Sequence, residues 1–269
     1  DWKYLWLNES FATYFGYGAV DYYHPDWQVW DEFLESNTAP AMARDALTDT
    51  TSIEIPGGSH VLINSATAPI IYSKGGSILR QIEGYLGTGV FKSALRGFLK
   101  KHAYGCAEST DLWAAMEAES GKPVQEIMKG WIMQPGHPMI QAKRSGNQLE
   151  LAQQQFTYLP AARGPEHVWP IPVSIRLFDE QGGSREQTFV FDTAETVVEL
   201  DPDIAAFKIN DRQTGFYRVW YQDADNLSRL VELIASETLP EIDRWGIEND
   251  LFALVKAGHI PVSEYLRHL

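Results

Sequence analysis

A single cysteine, Cys106, stands in the whole sequence. It cannot form an internal disulfide and has no partners for a thiolate metal site, which favours a reducing, cytoplasmic setting. Basic residues are scarce: 22 Lys and Arg against 36 Asp and Glu leave a net charge of −14. Binding a phosphate backbone needs clustered Lys and Arg, so nucleic acid is excluded as a partner. Acidity of this order suits cationic partners, peptides with a free amino terminus among them, or serves solubility alone. No apolar run approaches the length of a membrane span. No signal peptide is visible, but the chain opens at Asp1-Trp2-Lys3 without an initiator Met, so any targeting segment is expected to lie outside it. Gly57-Gly58-Ser59-His60 lacks the Lys and the following helix of a phosphate loop. No internal repeat stands out.

Apolar residues make up 44% of the 269 positions and charged residues 22%, a composition that folds rather than one that stays disordered. The length allows one large domain or two to three smaller ones. The first half has helical period. Leu5, Phe11, Ala12 and Phe15 fall on one side of a helix and predict an apolar face there. Ile78, Leu79, Ile82, Tyr85 and Leu86 repeat the pattern, with Gly87 as the stop, and Phe91, Leu95, Phe98 and Leu99 follow. Ser109-Thr110-Asp111 predicts a capped start for Leu112 to Ala118, and Pro123 opens a helix towards Trp131. Residues 45 to 68, rich in Thr, Ser, Gly and Pro, read as a loop, either over a cleft or on an ordinary surface. Trp2, Trp6, Trp27 and Trp30 read as packing residues, and Cys106 as a small structural one.

Gln134-Pro135-Gly136-His137-Pro138 is a break, with His137 read as a linker residue, and beyond it the period changes to two. Ile140 and Ala142 alternate with polar neighbours, as do Leu149 and Leu151 across a Ser145-Gly146-Asn147 turn. Val173, Ile175 and Leu177 continue the rule to a second turn at Gln181-Gly182-Gly183-Ser184, which leads into Phe189 and Phe191. Four to seven short strands before residue 222 predict a small β-sandwich. Helical period returns from Leu227, with breaks at Pro240, Gly258 and Pro261.

Within the first helix, Leu5-Trp6-Leu7-Asn8-Glu9-Ser10-Phe11-Ala12 places a carboxylate among apolar residues. A buried carboxylate is costly unless it is paired, hydrogen-bonded or bound to a metal, so Glu9 is an ion-pair partner, a wet-face residue or a ligand. The string resembles the W-L-N-E-[GS]-F-A segment of the aminopeptidase N-like (M1) family of zinc peptidases, gluzincins in which this Glu is the third zinc ligand. Ile71-Tyr72-Ser73-Lys74-Gly75-Gly76 resembles the family's Y-[SE]-K-G-[AG] segment, whose Tyr stabilises the oxyanion. Trp131 to Pro138 is similar to the W-x₄-G-[YF]-P end of the catalytic domain, with His137 in place of the aromatic. Gly215-Phe216-Tyr217-Arg218-Val219 is similar to the strand that closes the β-sandwich, and Asp243-Arg244 with Asn249-Asp250-Leu251-Phe252-Ala253-Leu254 to the start of the helical C-terminal domain.

The resemblance implies a multidomain α+β chain. Residues 1–137 would be the helical C-terminal part of a thermolysin-like catalytic domain, 138–222 a β-sandwich, and 223–269 the beginning of a superhelical domain. It implies a Zn²⁺ cofactor with Glu9 as ligand, Tyr72 as the oxyanion donor, and peptide substrates with a free N-terminus. Lys74 reads as a packing residue rather than the partner of a carboxylate. The departures matter equally: no His-Glu-x-x-His occurs, no two of the seven histidines are four apart, and the strand that binds the substrate amine is missing. The chain is therefore expected to be an inactive internal piece of a longer enzyme, with self-association through apolar surfaces at Trp2, Trp6, Phe11, Tyr265 and Leu266. The alternative is a non-catalytic relative that serves as a scaffold.

Overall fold

The computed structural model of the chain describes residues 2–55, 62–159 and 167–267, so Gly57 to His60 lie outside the described residues. Helices and strands segregate along the chain, the α+β pattern. Helices run to Ile132, strands from Pro138 to Tyr221, and helices again from Ala224. The chain divides into two compact units, Asp1–Asp45 with Asp49–Gly136, and Ala46–Thr48 with His137–Leu269.

The first unit holds α1 (Leu5–Tyr23), α2 (Val29–Phe33), α3 (Ala39–Asp45), α4 (Gly75–Leu86), α5 (Thr88–Lys101), α6 (Ser109–Ser120) and α7 (Val124–Ile132). Two π-helical turns interrupt them, Leu34–Thr38 before α3 and Pro69–Lys74 before α4. The core is built from Phe33, Ile70, Ile78, Leu79, Ile82, Leu112, Met116, Ile127 and Trp131, all fully buried. The α6 cap sits one residue earlier than Ser109: Glu108 and Asp111 form a reciprocal capping box, satisfying two backbone donors at once.

The apolar face expected on α1 is corrected. The buried stripe is Trp6, Ser10 and Tyr14, spaced by four, while Phe15 is 41% exposed and stacks on half-buried Phe11 with ring centroids 5.4 Å apart. The reason lies on α4. A Cβ built on Gly75 would overlap Ser10 Oγ and lie 3.0 Å from Ser10 Cβ. Backbone approach this close selects the small Ser10, not the large Phe residues, as the inward side of α1. Gly75→Ala is accordingly expected to destabilise by about 1–3 kcal/mol, the cost of overpacking, measured by thermal unfolding; an unchanged melting temperature contradicts the close approach. Trp2 and Trp27 are both largely exposed, so neither packs into the core, whereas Trp6 is buried and lends nothing to an apolar surface.

In the second unit β1 (Pro138–Ser145), β2 (Gln148–Gln155), β3 (Ile171–Asp179), β4 (Ser184–Phe191), β5 (Glu195–Glu199), β6 (Ile204–Ile209) and β7 (Arg218–Tyr221) form two sheets. Their orders are β5-β2-β1-β7 and β4-β3-β6. Both expected hairpins are present, Lys143 facing Glu150 and Ile175 facing Gln187. The parallel pairing of β1 with β7 has no hairpin signal, because its partners are remote in sequence. His137 begins the long segment of this unit and is fully buried beside the Phe156 and Phe216 rings, its carbonyl accepting Phe156 N at 2.9 Å.

Helices α8 (Ala224–Ala235), α9 (Glu241–Lys256) and α10 (Val262–Tyr265) belong to this unit. Two buried ion pairs fasten α9 to the strands, Lys208 of β6 to Asp243, and Arg218 of β7 to Asp250 at 3.0 Å. Asp250 also accepts Val219 N at 3.0 Å. Burial pushes the Lys208 ammonium down and the Asp243 and Asp250 carboxyls up, against the attraction of their partners. These pairs give the Gly215 to Val219 and Asp243 to Leu254 landmarks a structural purpose. Removing one partner leaves the other charge buried alone, so Asp250→Ala is expected to cost about 3–5 kcal/mol. Denaturant unfolding measures it, and a loss near zero contradicts the assignment of this pair as buried and intact.

Candidate active site

Tyr72 sits inside the π-helical turn Pro69–Lys74, and Glu9 on α1. A π turn holds one more residue than an α turn, so it re-aims the side chains on it; such turns are frequent at functional sites. The two predicted residues lie close enough for the Glu9 carboxylate to act on the Tyr72 hydroxyl. Both side chains are half-buried. Partial burial, then the hydrogen bond and the charge of Glu9, raise the Tyr72 hydroxyl above the usual phenol range. Tyr72 therefore stays a proton donor throughout neutral pH.

The neighbours of Tyr72 are anchored on three sides. Ser10 Oγ donates to Ile71 O at 2.7 Å, which ties the turn to α1 one residue after Glu9. Ser73 Oγ donates to Asn37 Oδ1 at 3.0 Å, on the other π turn. Lys74, expected only to pack, pairs with a carboxylate after all: its Nζ lies 2.9 Å from Asp45 Oδ2 and donates to Gly136 O at 2.9 Å. Asp45 was not singled out by the sequence. Its only signal was the need of a Lys in an apolar helix start for a partner. On the same buried stripe of α1 as Ser10, Trp6 Nε1 donates to the buried Glu54 carboxylate, as does Ser109 Oγ, which fixes the helix that carries Glu9.

Among the described residues no three His, Cys, Asp or Glu side chains gather to hold a metal. Glu9 fits as one oxygen ligand for zinc, since its half-buried side chain carries a carboxylate and no ion pair to it is seen among the described residues.

Residues 1–131 match the peptidase family M1 domain, and residues 206–269 an ERAP1-like C-terminal domain. The chain belongs to the M1 peptidase family. It is similar to the Tricorn protease-interacting factor F2 of Thermoplasma volcanium, 38% identical over 268 residues, covering 100% of the chain and 32% of that relative. It is also similar to the aminopeptidase M1 of Arabidopsis thaliana, 36% identical over 279 residues, covering 98% of the chain and 31% of the relative. A leucyl aminopeptidase of Saccharolobus solfataricus is 33% identical over 266 residues, with 99% of the chain and 32% of the relative covered. The chain thus spans about a third of the length of these curated relatives. Among the described residues of this M1 chain, no helix is long and apolar enough to cross a membrane.

Proposed function

We propose that this chain is part of a zinc aminopeptidase, in which Glu9 is a zinc ligand and Tyr72 donates to the oxyanion of the scissile peptide. The observation that carries the reading is the close packing of α1 on the π turn, where Ser10, next to Glu9, holds Ile71, next to Tyr72. In this reading the first unit is the helical C-terminal part of a thermolysin-like catalytic domain. The two sheets are the β-sandwich, and α8 to α10 open a superhelical domain. Two histidines and a carboxylate base would come from outside the chain. When bound, zinc supplies Lewis-acid polarisation of the carbonyl and acidifies water. Glu9 offers that ion a carboxylate oxygen, and Tyr72, held protonated, offers a hydrogen bond where negative charge develops. The substrate class is peptides with a free amino terminus, which the aminopeptidase names of the relatives support, as does the acidity of the chain. Absence of a cysteine pair supports a cytoplasmic setting.

The test is Glu9→Gln in a full-length protein containing this chain. The variant removes an anionic ligand, so purified protein is expected to hold well under one zinc per molecule and to regain activity only with added zinc. Stoichiometric zinc in that variant excludes Glu9 as a ligand.

A further inference from the structure

We infer that the buried Lys74–Asp45 pair is a positioning device for Tyr72, one that fixes the C-terminal end of the π turn that carries it. The inference rests on the catalytic reading of Tyr72 and adds residues to it. Lys74 and Asp45 are both fully buried. Lys74 closes the π turn two residues after Tyr72, and Asp45 closes α3. Each makes a second attachment at the same point: Lys74 Nζ donates to Gly136 O at 2.9 Å, and Asp45 Oδ1 accepts Gly136 N at 3.1 Å. Gly136 has φ +81°, a left-handed conformation that suits glycine and presents both backbone groups to the pair. Thr50 Oγ1 adds a further hydrogen bond to Asp45 Oδ1 at 2.6 Å.

A buried ion pair is a poor source of net stability, since desolvation consumes most of the Coulombic gain. What such a pair does give is a fixed geometry. Here it fixes the C-terminal end of the turn, while Ser10 holds Ile71 and Asn37 holds Ser73. Residues 71, 73 and 74 are thus all attached to other elements, and Tyr72 lies between these attachments. An active site gains rate from a donor held in place before the reaction, and a misplacement of about 1 Å costs about a hundredfold. Lys74 and Asp45 do not touch the reacting atoms, so their role is positioning.

The test uses the full-length, zinc-loaded protein. Lys74→Met alone strands a buried Asp45 and risks unfolding, so the working variant is the pair Asp45→Asn with Lys74→Met. It removes both charges while Asn keeps the oxygen that accepts Gly136 N. Three readouts are taken: zinc content, the split of kcat against KM, and hydrogen exchange of amides 71–76. The paired variant is expected to keep its zinc and its KM within about twofold while kcat falls by about tenfold or more. Amides 71–76 should lose protection by about tenfold with the rest of α4 unchanged. Added to Tyr72→Phe, the paired variant should slow the enzyme by no more than about twofold further, because a device acting through Tyr72 has nothing left to position. A triple variant slowed by the product of the two separate effects, or a paired variant with undiminished kcat and protection, overturns the positioning role while Tyr72→Phe remains slow. A Tyr72→Phe enzyme with undiminished kcat overturns the catalytic reading instead, and the exchange readout then still reports whether the pair sets the turn.

Discussion

Tyr72→Phe, made in a full-length protein that carries this chain, is expected to lower kcat by about 10²–10³, the range for losing one oxyanion donor. KM should change little, because the hydroxyl meets negative charge that develops only in the transition state. Zinc content should be unchanged, since Tyr72 is an oxyanion donor and not a ligand in this reading. The structure adds a reason for the effect to be large. The turn around Tyr72 is anchored at Ile71, Ser73 and Lys74, so the phenylalanine ring would keep its place while losing only the oxygen. The variant therefore isolates one hydrogen bond. Steady-state kinetics beside metal analysis measures it. A variant that keeps near-full kcat returns Tyr72 to a packing role at the start of α4.

The second large effect concerns the 269-residue chain itself. It is expected to show no zinc-dependent cleavage of an aminoacyl-anilide at any concentration tested. A catalytic zinc site takes three protein ligands and keeps a further position open, and hydrolysis also needs a base. In the proposed reading Glu9 would supply one oxygen donor. No two of the seven histidines are four apart, and the described residues hold no group of three candidate ligands. Measurable chelator-sensitive cleavage by the purified chain would mean that the ligands are drawn from residues other than those assigned, and the zinc-ligand role of Glu9 would fall with it.

Much of this architecture was legible because it is local. The change of period at Pro135-Gly136 matches the passage from α7 to β1, and the Gly146 and Gly182 turns carry the positive φ their hairpins need. Non-local features were not legible. The α1 stripe was misassigned because side-chain size, set by the approach of Gly75, overrode hydrophobicity. The π turn at Pro69–Lys74 carries an ordinary helical sequence, and its extra residue is imposed by the packing of α1 and α3 around it. Asp45 and Lys74 lie far apart in sequence, and a Lys in an apolar helix start calls for a partner without saying which carboxylate it is. Glu9 and Tyr72 were found through resemblance to a family. Their proximity, which bears on the site, needed the fold.

Zinc-edge anomalous diffraction from crystals of the full-length protein bears most directly on the Glu9–Tyr72 site. The expected result is one ion with a Glu9 carboxylate oxygen at about 2.0–2.2 Å, and the Tyr72 hydroxyl facing the same ion from outside bonding distance. An ion whose ligands do not include Glu9, or a Tyr72 hydroxyl turned away from it, contradicts the assignment.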